Sequence, residues 1–77
     1  MSRLAELILI SRRRSRLSQE DLGDKVGANR ASVSLWERGE RTPSLGNFAA
    51  MAKIFGWTPA EIHEVLMSLD GESDDSV

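Results

Sequence analysis

Apolar residues recur every three or four positions through most of the chain, and this spacing predicts α-helices. Three expected helices are each preceded by a residue that commonly caps helix N-termini, namely Ser18, Asn29 and Ser44. A fifth helix is predicted by the capping-box pattern TPAE, which has proline at the first helical position. We therefore expect an all-α fold of five helices. Their predicted bounds are about 2–15, 19–26, 30–38, 45–55 and from 59 onward.

The inward sides of these helices should form one small core. Leu22 and Val26 would line the second helix, Val33 and Trp36 the third. Trp57 should fill the space beside them. For the first helix we expect an inward line of Leu4, Ile8 and Ser11, and for the fourth a buried stripe of Leu45, Phe48, Ala52 and Phe55 with Ala49 and Met51 beside it.

The fifth helix carries an apolar stripe that one small domain does not obviously cover. We predict that Val65, Leu66 and Leu69 form the two-fold contact of a homodimer. Leu7 or Ile10 of the first helix could add to this contact, since that helix is also more apolar than one small core requires. The alternative is that the stripe packs within the chain against the first helix.

The second and third helices are short, and a glycine-containing corner of about three residues joins them. On the outer side of the third helix the side chains are mostly short and include two cations, an arrangement that fits the major groove of DNA. On periodicity alone, a solvated helix in an α-bundle is an equally good interpretation. The outer residues are Arg30, Ala31, Ser34, Leu35 and Arg38.

Charge is unevenly distributed along the 77 residues, whose net charge is −2. Four of the twelve acidic residues fall in residues 70–77, so residues 1–69 carry ten basic and eight acidic side chains. The body of the chain is therefore weakly basic, which is compatible with nucleic acid as a partner. We expect residues 70–77, DGESDDSV, to be a disordered acidic tail after a domain formed by residues 1–69.

Cysteine is absent from the sequence, so neither disulfides nor thiolate metal ligands can stabilise the fold. The longest apolar run, residues 7–10, is too short to span a bilayer, and we find no signal-peptide pattern. These features predict a soluble protein located in the cytoplasm.

The segment LSQEDLGDKVGANRASVSLWERGERTPSL resembles the Cro and lambda-repressor type of helix-turn-helix, also called the XRE family. The marks that carry the resemblance are Gln19 at the start of the first helix of the pair, Gly27 in the corner, Val33 in the core, and WERGERTPS at 36–44. The similarity covers residues 4–62. It implies a five-helix lambda-repressor-like fold with the helix-turn-helix at about 18–38, in a prokaryotic or phage transcription regulator.

The resemblance also implies roles for individual residues. Arg30 matches a position that contacts bases, and arginine there can bind guanine O6 and N7 together. Arg12 should pair with Glu37 and tie the first helix to the third. The predicted base-reading residues are Arg30, Ala31, Ser34, Leu35 and Asn29. The predicted phosphate-binding residues are Gln19, Arg38, Arg41, Thr42 and Ser44.

We predict a repressor that binds a palindromic operator on double-stranded DNA as a dimer. The rival interpretation is an antitoxin or adaptor of the same fold that acts mainly through a protein partner. An enzyme is not expected, because His63 is the only histidine and no nucleophile or phosphate loop accompanies it. We also expect no cofactor and no metal, since Glu61, His63 and Glu64 read best as a solvated helix face.

Overall fold

The computed structural model describes residues 2–74, with side chains described through Met67. The described residues form five α-helices and no strand, as the sequence predicted. Each boundary agrees with its expected position to within one residue, apart from the end of the last helix. The helices are α1 (Arg3–Arg14), α2 (Gln19–Val26), α3 (Arg30–Glu37), α4 (Leu45–Phe55) and α5 (Pro59–Asp74).

α1 is the central helix of the fold, because it contacts α3, α4 and α5. α2 contacts both α3 and α4. Between these helices lies one apolar core in which Ile8, Leu22 and Val33 are fully buried. The remaining core residues are Leu4, Val26, Trp36, Met51, Trp57 and Val65. The Nε1–H of Trp57 also donates a 2.8 Å hydrogen bond to the hydroxyl of Ser11.

The buried line of α4 differs from the predicted stripe. Met51, expected at its edge, is fully buried, whereas Leu45 is 82% exposed. At 100° per residue, Leu45 lies far around the helix from Met51, while Phe48 and Phe55 lie close to it. Phe48 and Phe55 also pack on Trp57 with their rings tilted, at centroid distances of 5.6 and 5.9 Å from the Trp57 ring. The inward direction of α4 is therefore set by the aromatic residues around Trp57.

The end of α5 also differs from the expected domain boundary at residue 69. Residues 70–74, predicted to belong to a disordered tail, continue the helix to Asp74. This segment contains no proline, and its one glycine, Gly71, weakens a helix without having to end it. Residues 75–77 of the predicted tail lie outside the described residues.

Candidate nucleic-acid interface

Local hydrogen bonds and one glycine define where α2 begins and ends and where α3 begins. The hydroxyl of Ser18 accepts the Asp21 N–H at 2.9 Å, and the Asp21 carboxylate accepts the Ser18 N–H at 3.1 Å. This capping box lowers the pKa of Asp21, chiefly through the bond from the Ser18 backbone. α2 ends at Val26 and is followed by its C-cap Gly27, whose φ of 75° favours glycine. Asn29 then caps α3 by accepting the Ser32 N–H at 2.8 Å.

Gly23 allows the two helices to approach each other closely. A Cβ at this position would lie 2.8 Å from the carbonyl carbon of Asn29, which is closer than side-chain carbons normally come. The backbone of α2 therefore touches the start of α3 directly. The sequence analysis did not single out Gly23, although a glycine inside an eight-residue helix is a known signal of close packing.

One side of α3 faces inward and the other faces an open groove between α2 and α3. Val33 and Trp36 are buried, as predicted, and Arg30 and Ala31 are exposed. The groove has a volume of about 780 Å³. It is lined by all five residues predicted to read bases, and by Gln19 and Arg38 from the predicted phosphate set.

Two acidic residues of α2 that the sequence analysis left out also line this groove. Glu20 and Asp24 are exposed on the wall opposite Arg30 and Arg38. Their negative charge opposes that of phosphate, so the attraction of the groove for a polyanion depends on the two arginines. Glu20 and Asp24 are four residues apart and so lie on one face of α2, which is the signal in the sequence that could have identified them.

A buried carboxylate joins α1, α2 and α3 behind the groove. Arg12 donates to Glu37 through Nε to Oε2 at 2.6 Å and through Nη2 to Oε1 at 3.1 Å. The same guanidinium donates to the Leu17 carbonyl at 2.8 Å. Gln19 adds a third bond to the carboxylate, from its Nε2 to Oε1 of Glu37 at 3.1 Å. The ion pair implied by the family resemblance is thus present, and Gln19 is attached to it.

A comparison with protein families bears directly on this arrangement. The helix-turn-helix family model matches residues 8–62, which is well over half of the chain. The chain belongs to the XRE, or lambda-repressor, family of helix-turn-helix domains. No match was found among curated proteins or among solved structures. The family consists of DNA-binding regulatory domains, so this chain is a DNA-binding transcription regulator.

The other predicted phosphate-binding residues of the helix-turn-helix domain follow α3. Arg41 and Thr42 are exposed in the loop that leads to α4. Ser44 ends this loop and caps α4, because its hydroxyl accepts the Asn47 N–H at 3.1 Å. Arg38 is exposed, with its Nε 3.3 Å from the Glu40 carboxylate. All four residues are accessible, and Arg38 alone of them also lines the groove.

One of the three residues predicted to form the dimer surface is buried within the chain. Val65 is 1% exposed within the single chain, so it belongs to the core and cannot also contact a second copy. The physical reason is that α5 packs against α1 with this position facing inward. Leu66 and Met67 remain exposed, and the side chain of Leu69 lies outside the described residues.

Two charged residues of α5, Glu61 and Glu64, have structural partners. The Glu61 carboxylate accepts the Thr58 N–H at 2.9 Å and so completes the predicted capping box. Glu64 pairs with Arg3 of α1. Within the described part of the chain, no three potential metal ligands come together. No helix there has both the length and the apolar character needed to cross a membrane.

Proposed function

We propose that this protein is a repressor that binds a palindromic operator as a homodimer, with α3 in the major groove of double-stranded DNA. The observation that carries this proposal is the open groove along α3, whose lining combines short side chains with two exposed arginines. A major groove admits one helix, and the third helix of the fold presents an accessible face for it. Occupancy of a promoter would then block transcription.

Arg30 is proposed as the main base-reading residue. It is exposed at the first position of α3, where the side chain projects from the end of the helix toward the groove. A bidentate contact to guanine contributes about 1–3 kcal/mol of discrimination against other bases. Ala31 and Leu35 would contact thymine methyl groups, and Ser34 would add a hydroxyl. Asn29 uses its side-chain oxygen to cap α3, so its amide N–H groups would contact DNA.

Arg38, Arg41, Thr42 and Ser44 are proposed to hold the phosphate backbone, together with Gln19. The bond from Gln19 to Glu37 supports this role for Gln19, because it fixes the side chain while its oxygen and second N–H are left for other partners. Such contacts position the protein on the duplex and carry no sequence information of their own.

The homodimer is proposed to form through α5, with the exposed Leu66 and the predicted contact residue Leu69 as its apolar residues. Leu66 is 46% exposed, and Met67 beside it is 55% exposed, so both side chains are accessible to a second copy. A two-fold dimer would read half-sites about 34 Å apart, one turn of the duplex. The exposed Leu66 and Met67 equally support the second candidate function, an antitoxin or adaptor that contacts a partner protein.

Selection from random double-stranded DNA would test the proposal directly. We expect one enriched motif with two-fold symmetry. If no sequence is enriched over the starting pool, sequence-specific binding is excluded. If a stoichiometric protein copurifies from the native host and blocks DNA binding, the antitoxin or adaptor function is favoured.

Two arginine variants test the division between base reading and phosphate binding. Arg30→Ala should reduce the preference for the selected motif over random DNA by about tenfold or more. Arg38→Ala should weaken binding to both DNAs by a similar factor and reduce the salt slope by about one unit. Equal losses on every sequence for both variants would contradict the assignment. The measurement is equilibrium binding to matched and random duplexes at several salt concentrations.

A further inference from the structure

Asn47, in the first turn of α4, links the loop between α3 and α4 to the end of α2. Its Nδ2 donates a 2.8 Å hydrogen bond to the carbonyl of Val26, the last residue of α2. Its Oδ1 accepts the Ser44 hydroxyl at 2.8 Å, and its backbone N–H donates to the same hydroxyl oxygen at 3.1 Å. One side chain therefore connects the residue that ends the α3–α4 loop to the residue that precedes the helix-turn-helix corner.

The two residues of α4 that precede Asn47 add no buried apolar side chain, and the apolar packing of the helix begins at Phe48. Leu45 is 82% exposed and Gly46 carries no side chain, and the first fully buried side chain of the helix is that of Met51. Pro43 is buried and fixes the chain just before the turn. In the described residues, the side-chain hydrogen bond that joins this turn to α2 is donated by the Asn47 amide. It also satisfies a carbonyl at the end of α2 that has no partner within its own helix.

We infer that Asn47 is a positioning residue for DNA binding, which sets where the 39–44 loop lies relative to α3. This inference rests on the proposed function, because it concerns the proposed phosphate contacts of Arg41, Thr42 and Ser44. Val26 directly precedes the corner from which α3 starts. The bonds of Asn47 to Val26 and Ser44 therefore position the phosphate-binding loop relative to the base-reading helix. Binding needs both at once, since phosphate contacts set the register in which bases are read.

The test compares Asn47→Ala with Thr58→Ala on the selected operator. Both substitutions remove a side chain that makes hydrogen bonds at the start of a helix. Thr58 caps α5, which lies outside the proposed DNA-binding surface. Binding is measured over a range of salt concentrations, and phosphate ethylation interference maps each contact. For Asn47→Ala we expect a salt slope lower by about one to two units, and loss of interference only at the phosphates that the loop contacts. Thr58→Ala should leave the slope and the pattern unchanged.

Asn47→Asp provides a second variant that keeps the oxygen accepting from Ser44 and removes the donor to Val26. A carboxylate at the third helical position is favourable for α4, so this variant should fold even if Asn47→Ala does not. Its interference pattern should show the same local loss. An unchanged pattern in the folded Asn47 variants, or a loss spread evenly over the whole interface, would overturn the inference.

Failure of the inference can be told apart from failure of the proposed function. If the unsubstituted protein selects no operator, the proposed function is wrong and the positioning role falls with it. If the unsubstituted protein binds its operator and the Asn47 variants bind it with the same salt slope, the role of Asn47 alone is wrong.

Discussion

The two sides of α1 are joined to their neighbours by the same pair of residue types in very different surroundings. Toward α3, the side chains of Arg12 and Glu37 are 14% and 6% exposed and make further hydrogen bonds to Leu17 and Gln19. Toward α5, the side chains of Arg3 and Glu64 are 54% and 55% exposed. Water screens the second pair and hardly reaches the first. The ion pair therefore contributes more to the position of α1 on the side of the helix-turn-helix than on the side of α5.

Glu37→Gln should produce the largest effect among changes that break this contrast. The substitution keeps the shape of the side chain and leaves Arg12 without its counter-charge in a mostly buried site. Breaking a buried pair in this way costs about 3–5 kcal/mol, a large part of the stability of a small domain. Urea unfolding followed by tryptophan fluorescence would measure the loss.

The double variant Arg12→Met with Glu37→Leu is the control for that experiment. Removing both charges together should recover much of the stability, because apolar residues of similar volume often replace a buried ion pair without loss. If Glu37→Gln alone changes the free energy of unfolding by less than about 1 kcal/mol, the pair does not have the importance that its burial indicates.

Gly23→Ala tests the close approach of α2 to α3 on the same side of the molecule. The new Cβ would meet the Asn29 backbone at 2.8 Å, and a backbone atom cannot move away as a flexible side chain can. We expect a loss of about 1–3 kcal/mol in the free energy of unfolding.

Gly46→Ala is a matched control, because a Cβ there meets only the Ser44 hydroxyl at 3.9 Å. In this helix the change should be neutral or should stabilise by up to about 1 kcal/mol. A loss of similar size at both glycines would show that the contact with Asn29 is not the reason that Gly23→Ala destabilises the protein. Thermal unfolding of the two variants side by side provides the measurement.

Glu64→Gln makes the same chemical change as Glu37→Gln on the exposed side of α1. The partners remain hydrated when separated, so the expected loss is below about 1 kcal/mol. A high salt concentration should reduce the difference between this variant and the unsubstituted protein, since exposed charges are screened. A loss as large as that of Glu37→Gln would remove the distinction between the two sides. Urea unfolding at low and high salt measures both expectations.

Asp21 should give the smallest effect, and that effect depends on pH. The bonds from Ser18 lower the pKa of its carboxyl in the folded protein. The ionised form is therefore stabilised by folding, and the contribution is present at neutral pH and lost as the pH falls below about 4. The stability difference between the unsubstituted protein and Asp21→Asn should shrink over that range. A difference that is constant from pH 6 to pH 3 would contradict the capping role.

Much of the fold could be predicted because its signals are local. Ser18, Asn29, Ser44 and Thr58 each cap the helix that the sequence assigned to them, and each bond spans only three residues. The helix-turn-helix motif likewise depends on short spacings, and the family match confirms it. The assignments of individual residues to bases and phosphates remain predictions, although seven of them line one groove.

The tertiary structure alone decided the features that depend on distant residues. Periodicity places Val65 and Leu66 on one apolar stripe, but only the position of α1 determines that Val65 is buried and Leu66 exposed. The backbone of Asn29 leaves no room for a Cβ at Gly23. The Asn47 side chain bonds to Val26, which is twenty-one residues away in the sequence. Caps and helical periods are properties of a few neighbouring residues, whereas burial and long-range hydrogen bonds exist only after the helices have packed.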